Sequence, residues 1–176
     1  MTQNHTTAST FLAQMNAPAH LVQHLTIVQE TAQMLTQKLQ DKLNITPDMQ
    51  LIRDGALLHD IGKILHPEEL NKPGHLHEAA GQKLLLEHGF PQVLARVCIS
   101  HAQWKALQCS TEELIIALAD KLWKGKRVQE LEEIFTTHIL SMTNLNHWDA
   151  WTLLDDIFMD MANTNRLLET VRSKIH

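Results

Sequence analysis

Ala56-Leu57-Leu58-His59-Asp60-Ile61-Gly62-Lys63 decides how this chain is read. Its apolar start has the pattern of a buried helix, and the run closes on two adjacent side chains that bind metals well. An imidazole and a carboxylate taken out of water side by side are costly unless something pairs with them, and a divalent cation is the natural partner. Gly62 is expected to end the helix and let the chain turn. Lys63 follows at once, close enough to a bound metal for a phosphate oxygen to meet it.

Outward from this stretch the periodicity is helical. From about Ala17, the residues Leu21, Leu25, Val28, Ala32, Leu35 and Leu39 recur every three or four positions, with His24 at the edge of the stripe. Thr46-Pro47-Asp48 opens the helix that carries Ile52, Ala56 and His59 on one face. Leu65 to Gly74, with Pro67 and Pro73, reads as a loop with one short turn, placed to form a lip over the site. A third helix, about Leu76 to His88, puts His77, Ala80, Gly81, Leu84 and Leu85 on one face, and Gly89 and Pro91 stop it. A fourth begins near Gln92 with Leu94, Val97, Cys98 and His101 on one side. Ser110-Thr111-Glu112-Glu113 is a capping box for a fifth, on which Ile116, Asp120 and Trp123 share a face. Asn146 with Asp149 starts a last long helix whose stripe is Trp151, Leu154, Phe158, Met161 and Leu168. The pattern holds no strand alternation and no internal repeat. The expected fold is all-α, a single compact helical bundle. Residues 1–16 are expected to be a flexible N-terminal segment, 17–127 the metal-binding core, and 128–176 C-terminal helices packed on that core in the same domain.

Composition narrows the function classes. A chain of 176 residues suits one domain. The net charge of -5 argues against a general nucleic-acid surface, which calls for a basic stripe. Small phosphorylated substrates stay open, because bound metal adds local positive charge. Cys98 and Cys109 are too few for a disulfide framework and read as reduced thiols. Met1 to Ser9 is polar without Lys or Arg, and no stretch approaches the ~20 apolar residues of a membrane helix. The expectation is a soluble, cytoplasmic protein with no stable nucleic-acid or membrane partner, and with oligomerisation left open.

The number of histidines, 12, proves little by itself. Their placement says more: His59, His77 and His101 fall on the apolar faces of separate helices, and Asp120 on the inner face of another. Four unrelated buried polar groups would each carry a desolvation cost, whereas one shared site satisfies them all. His20 rivals His24 and His75 rivals His77, while His88 shares the His77 stripe but lies where it can meet the helix carboxyl end. Lys121, Lys124, Lys126 and Arg127 form a basic run that reads first as a solvated helix end. The alternative is that one of them reaches a substrate phosphate.

The octapeptide resembles the signature of the HD-domain superfamily, helical proteins named for their His-Asp pair and mostly metal-dependent phosphohydrolases. Further matches stand in the family's order. His24-Leu25-Thr26-Ile27-Val28 resembles the first-histidine helix, His77-Glu78-Ala79-Ala80-Gly81 with Leu84-Leu85 the third element, Ile99-Ser100-His101 the fourth, and Asp120 in Ala117-Leu118-Ala119-Asp120-Lys121 the closing aspartate. The resemblance runs from about Ala17 to Arg127, and the ordered set is specific where a lone His-Asp pair is not. It implies the six-ligand version of the family, which usually holds two metals. His24, His59, Asp60 and Asp120 would hold one and Asp60, His77 and His101 the other, with Asp60 bridging. Such ligation suits Mn, Fe, Ni, Co or Zn without choosing among them. The implied reaction is hydrolysis of a small phosphoester, a nucleotide by preference, by metal-activated hydroxide. Lys63 would contact a non-bridging phosphate oxygen, with Glu78 as a proton-transfer or supporting group.

Two other readings share this fold. Some relatives with the same six ligands are mixed-valence di-iron oxygenases. A phosphonate-cleaving relative of that kind has histidine where this chain has Lys63 and uses a tyrosine, of which this chain has none. Inositol-cleaving relatives keep the lysine, so the exclusion is partial. A degenerate HD domain acting as a signalling or binding module would have lost ligands, and none is lost here. The Gly-Tyr-Pro element of cyclic-di-nucleotide phosphodiesterases is absent.

Overall fold

The apolar periods become helices in a computed structural model that describes residues 7–172. In chain order these are α1 (Ala8–Gln14), α2 (Ala19–Leu43), α3 (Met49–Leu58), α4 (Leu76–Glu87), α5 (Gln92–Ala95), α6 (Val97–Gln103), α7 (Thr111–Leu122), α8 (Gln129–Met142) and α9 (His147–Arg172). Two 3-10 turns, Ile61–Ile64 and Pro67–Leu70, lie between α3 and α4, and no strand occurs among the described residues. The fold is all-α, as the periodicity requires.

The long helix α2 is the spine, packed on α3 and α7 and, further along, on α9. Its first turns place Leu21 and Leu25 in an apolar cluster with Phe11, Leu57, Leu58, Ile61 and Leu85. Its later turns, from Val28 to Leu43, join a second cluster with Ile52, Ile116, Phe135, Leu154 and Phe158. Burying each such side chain contributes about 1.5–3 kcal/mol. His24 lies on α2 between Leu21 and Leu25 of the first cluster and one turn before Val28 of the second, and His59 and Asp60 follow α3 residues that belong to both. The candidate site thus runs along the seam of two packed cores. α8 packs on α7, while α9 packs on α2, α7 and α8.

Several local expectations need correction. Residues 1–6 of the segment expected to be loose lie outside the described residues, but 8–14 form α1. Thr7 caps that helix, and Phe11 and Leu12 bury themselves, Phe11 edge-on to Phe90. The cap of α3 is Asp48, whose carboxylate accepts from the Gln50 and Leu51 amides, and not Thr46. Gly62 does not end α3, because the helix stops at Leu58 and the turn begins at His59-Asp60. The demand on Gly62 is contact: a Cβ there would lie 2.0 Å from His77 O and 2.6 Å from Gly81 N on α4. The short turn expected in segment 65–74 is present as a 3-10 turn, and what the sequence did not mark is that it inserts Glu69 into the protein. The fourth expected helix divides into α5 and α6 at Arg96. On α9, Trp151 and Leu168 are exposed, and the buried stripe runs through Ala150, Leu154, Ile157, Phe158, Met161 and Ala162.

Other signals hold as read. Ser110 and Glu113 form the reciprocal capping box of α7. Asn146 Oδ1 accepts from the Asp149 amide at 2.9 Å, starting α9. No helix among the described residues is long and apolar enough to cross a membrane. Both cysteines are free thiols.

Candidate metal centre

The turn that closes α3 sets the geometry. His59 is fully buried and Asp60 nearly so, because the chain leaves the helix between the two clusters. α2 brings His24 to this point, α4 brings His77, α6 brings His101, and α7 brings Asp120 on its inner side. The six residues singled out from the sequence therefore meet.

Asp60 is the centre of the arrangement. Its Oδ2 lies 3.3 Å from His24 Nε2 and 3.6 Å from His59 Nε2. Its Oδ1 lies 3.2 Å from His77 Nε2 and 3.4 Å from His101 Nε2. Asp120 Oδ1 lies 3.5 Å from His24 Nε2 and 3.6 Å from His59 Nε2. Ligand atoms of His24, His59 and Asp120 come within 4.8 Å of one another, as do those of His59, Asp60 and His101. The second trio draws on His59 where the sequence reading grouped His77, although His77 makes the shortest imidazole approach to Asp60.

Hydrogen bonds on the far side of three rings fix which nitrogen faces this centre. His59 Nδ1 donates to Ala56 O at 2.8 Å and His101 Nδ1 to Val97 O at 3.1 Å. His77 Nδ1 donates to Glu69 Oε2 at 2.6 Å. A neutral imidazole held this way carries its lone pair on Nε2. Lone pairs of imidazole and carboxylate then face each other, which is unfavourable unless a proton or cation lies between them. Among the described residues, buried His59 Nε2 and Asp60 Oδ1 find no hydrogen-bond partner. Metal–ligand bonds of about 2.1 Å place neighbouring ligand atoms roughly 3.0–3.4 Å apart, close to the separations found. The donor set therefore fits a divalent transition metal.

At His59, Asp60 and Asp120 the electrostatics agree with that fit. Burial pushes the His59 imidazole below its ordinary 6.5, against the opposing pull of Asp60 and Asp120. Burial opposes ionisation of Asp60, yet the surrounding imidazoles, His59 foremost, hold its carboxyl well below the usual range. Asp120 is likewise held down, with His59 and Lys121 outweighing its burial. His77 moves the other way, since Asp60 and Glu69 overcome its burial. Neutral imidazoles and ionised carboxylates are the forms that ligate.

Above the ligand set lies a cavity of about 410 Å³ whose walls include Lys63, Glu78, Lys121, Trp123 and Lys124. Larger or similar hollows beside α8 and α9 bring no such set of ligand atoms together. Lys63 Nζ pairs with Asp60 Oδ2 at 2.5 Å. Glu78 is buried, and Gln103 Nε2 donates to its Oε2 at 2.5 Å. Of the rival histidines, His20 is exposed on the wall of this cavity, His75 is exposed, and His88 Nδ1 donates to Leu84 O at 2.8 Å, the helix-end contact anticipated for it. The basic run divides, because Lys121 and Lys124 line the cavity while Arg127 is bound by Glu132 and Asp155.

Sequence reasoning missed Glu69 and Gln103. Glu69 accepts from the Leu76 and His77 amides, each at 3.0 Å, as well as from the His77 ring. These bonds hold its carboxyl down to about 2 although its burial opposes ionisation. Gly74 makes room, since a Cβ there would strike the Glu69 carboxylate. Glu68 and Glu69 stand together in a stretch rich in proline and glycine, and no periodicity marks which one turns inward.

Comparison with known proteins places this geometry. The family model for the HD domain matches residues 21–123, which carry all six converging residues. An uncharacterized protein of Methanocaldococcus jannaschii is 28% identical over 130 residues, covering 65% of this chain and 73% of that protein. Among solved structures, the HD domain of the L. monocytogenes phosphodiesterase PgpH superposes with a TM-score of 0.54 at 18% identity, covering 92% of this chain and 99% of that one. The same domain in complex with cyclic-di-AMP gives a TM-score of 0.54 at 16% identity, covering 93% of this chain and 99% of that one. The fold is shared, the His-Asp pair stands at the buried turn that closes α3, and the chain belongs to the HD-domain family.

Proposed function

We propose that this protein is a metal-dependent phosphohydrolase acting on a small phosphoester, a nucleotide by preference. The observation that carries this reading is the meeting of four imidazoles and two carboxylates at the floor of one cavity, with the Lys63 ammonium beside them. His24, His59, Asp60 and Asp120 would hold one metal, and Asp60, His77 and His101 a second. The division of the Asp60 oxygens, Oδ2 towards His24 and His59 and Oδ1 towards His77 and His101, supports a shared carboxylate. Metals bound there supply a Lewis acid and a water of lowered pKa for attack on phosphorus, and Mn, Fe, Ni, Co and Zn all suit the ligands.

The chain's own groups supply the rest. Lys63 turns from Asp60 to a non-bridging phosphate oxygen and stabilises charge that shifts during cleavage. Glu78, held in place by Gln103, is a carboxylate on the cavity wall able to take up a proton. The fold shared with a phosphodiesterase domain seen with cyclic-di-AMP supports a nucleotide-like ligand.

The test is elemental analysis of protein purified without chelator, followed by a phosphoester and nucleotide screen with each metal. One or two metals per chain are expected, with turnover that Lys63→Ala lowers roughly 10²–10³-fold while the metals remain bound. Protein without metal, or one that consumes dioxygen and releases no phosphate, would overturn the reading. The second result would favour the oxygenase.

A further inference from the structure

The cavity over the ligand set has two rims of different make. One, from the segment after the His-Asp pair and the start of α4, presents Lys63, Leu70, Gly74 and Glu78. The other, from α2 and the end of α7, presents His20, Lys121, Trp123 and Lys124. Lys121 Nζ lies 2.7 Å from Asp120 Oδ2, the counterpart of Lys63 at 2.5 Å from Asp60 Oδ2. Each central carboxylate thus carries an ammonium on one oxygen. Lys124 completes the second rim: it is exposed, and its Nζ stands 4.9 Å from the centre of the Trp123 ring. That ring in turn lies against His24, 5.2 Å between centroids. Trp123 therefore ties the Lys124 ammonium to the ligand set through a cation–π contact, which organises the charge without neutralising it. Among the described residues no carboxylate pairs with Lys124.

Lys63 and Lys121 each share a carboxylate with the imidazoles, Asp60 and Asp120 respectively, and Glu78 is engaged by Gln103, which leaves Lys124 as the ammonium with no acid of this cavity on it. Lys63 from one part of the chain and Lys121 and Lys124 from another thus put three ammonium groups around one cavity. We infer that Lys121 and Lys124 form a subsite for a second phosphoryl group, so that the ligand class is a compound with two linked phosphoryl groups, of which a nucleoside diphosphate is the simplest. The inference rests on the phosphoester reading for the group beside Lys63, and it adds the neighbour of that group. Lys126 and Arg127, in the same basic run, do not line the cavity.

The test is binding, read before any turnover. Protein loaded with the metal found by elemental analysis is titrated calorimetrically with inorganic phosphate and with methylenediphosphonate, whose P–C–P link resists hydrolysis. The diphosphonate should bind more tightly. Lys124→Ala should lower the ratio of the two affinities roughly two- to fivefold, the scale of one exposed charge contact, and Lys124→Arg should recover much of it. Lys126→Ala makes the same charge change outside the cavity and should leave the ratio where it was. Equal losses in the Lys124→Ala and Lys126→Ala proteins would overturn the subsite, as would unchanged protein that binds both probes alike. Absence of hydrolysis alongside a Lys124-dependent preference for the diphosphonate would instead sink the phosphohydrolase reading and leave the subsite standing.

Discussion

Asp60 and Glu69 do different work for the same histidine. Asp60 offers an oxygen to His77 Nε2, whereas Glu69 holds the opposite nitrogen and so decides that Nε2 is the free one. Replacing the first should abolish metal binding, and replacing the second should weaken one half of it. Asp60→Ala is expected to lose both metals in elemental analysis, and a full complement in that variant would exclude a shared carboxylate. Glu69→Gln should keep the fold and lose affinity on the His77 side by about 10- to 100-fold, the usual effect of removing a partner that orients a ligand. Dialysis followed by metal counting would show about one ion where the unchanged protein keeps two. Retention of both would mean that Glu69 serves packing alone. The six converging residues were legible in the sequence because helical spacing put His59, His77, His101 and Asp120 on inner faces and the ordered match to the HD-domain signature added His24 and Asp60. Glu69 was not, because it reaches inward from a 3-10 turn, where no period distinguishes it from Glu68.

Among the elements, the junction of the Ile61–Ile64 turn with α4 bears most directly on the site. Gly62 and Gly81 let the two backbones touch, and that contact seats His77 opposite Asp60. The atoms a Gly62 Cβ would strike are backbone, so they cannot swing aside as a side chain would. Gly62→Ala should therefore push α4 away, destabilise the protein by roughly 1–3 kcal/mol in urea unfolding, and reduce metal on the His77 side. An alanine variant with unchanged midpoint and full metal content would show the junction to be compliant. The α7 end is secured differently: Arg96 binds Glu113 Oε2 at 2.6 Å, tying the junction of α5 and α6 to the capping box that starts α7. The box itself was plain in the sequence, since capping is local chemistry. The Gly62 contact was not, because a glycine required for close approach looks the same in sequence as a glycine that turns the chain.

For the whole molecule, the buried charges predict how stability follows pH once metal is removed. Glu69, at about 2 in place of 4.5, contributes stability that is present above pH 4.5 and is lost as pH falls towards 2. Asp60 and Asp120 act in the same direction. His59, held neutral by burial, likewise favours the folded state above 6.5 and opposes it as pH falls below. His77 has the opposite sign: its raised pKa stabilises below 6.5, and that contribution fades as pH rises through its folded value. Chelated protein should therefore lose urea resistance progressively on acidification, and Glu69→Gln should lose less of it between pH 4.5 and 2. Parallel curves for the two proteins across that interval would show that Glu69 contributes nothing to acid stability. Added metal should raise the thermal midpoint near neutrality and do less in acid, where protons compete for the imidazoles.

The sequence by itself determined the all-α class, the order of the site-bearing helices and the register of His24, His59, Asp60, His77, His101 and Asp120. The class and the helix order depend on periods of three and four residues, and the register on the ordered match to the HD-domain signature, both of which a linear string records. Tertiary structure alone decided that α1 is ordered and packed, that α9 turns Trp151 outward, that Glu69 backs His77 and Gln103 holds Glu78, and that Lys121 and Lys124 face the cavity while Arg127 does not. These depend on which surfaces meet across the seam between the two cores, and on close approaches between residues far apart in the chain. No local pattern encodes such distances.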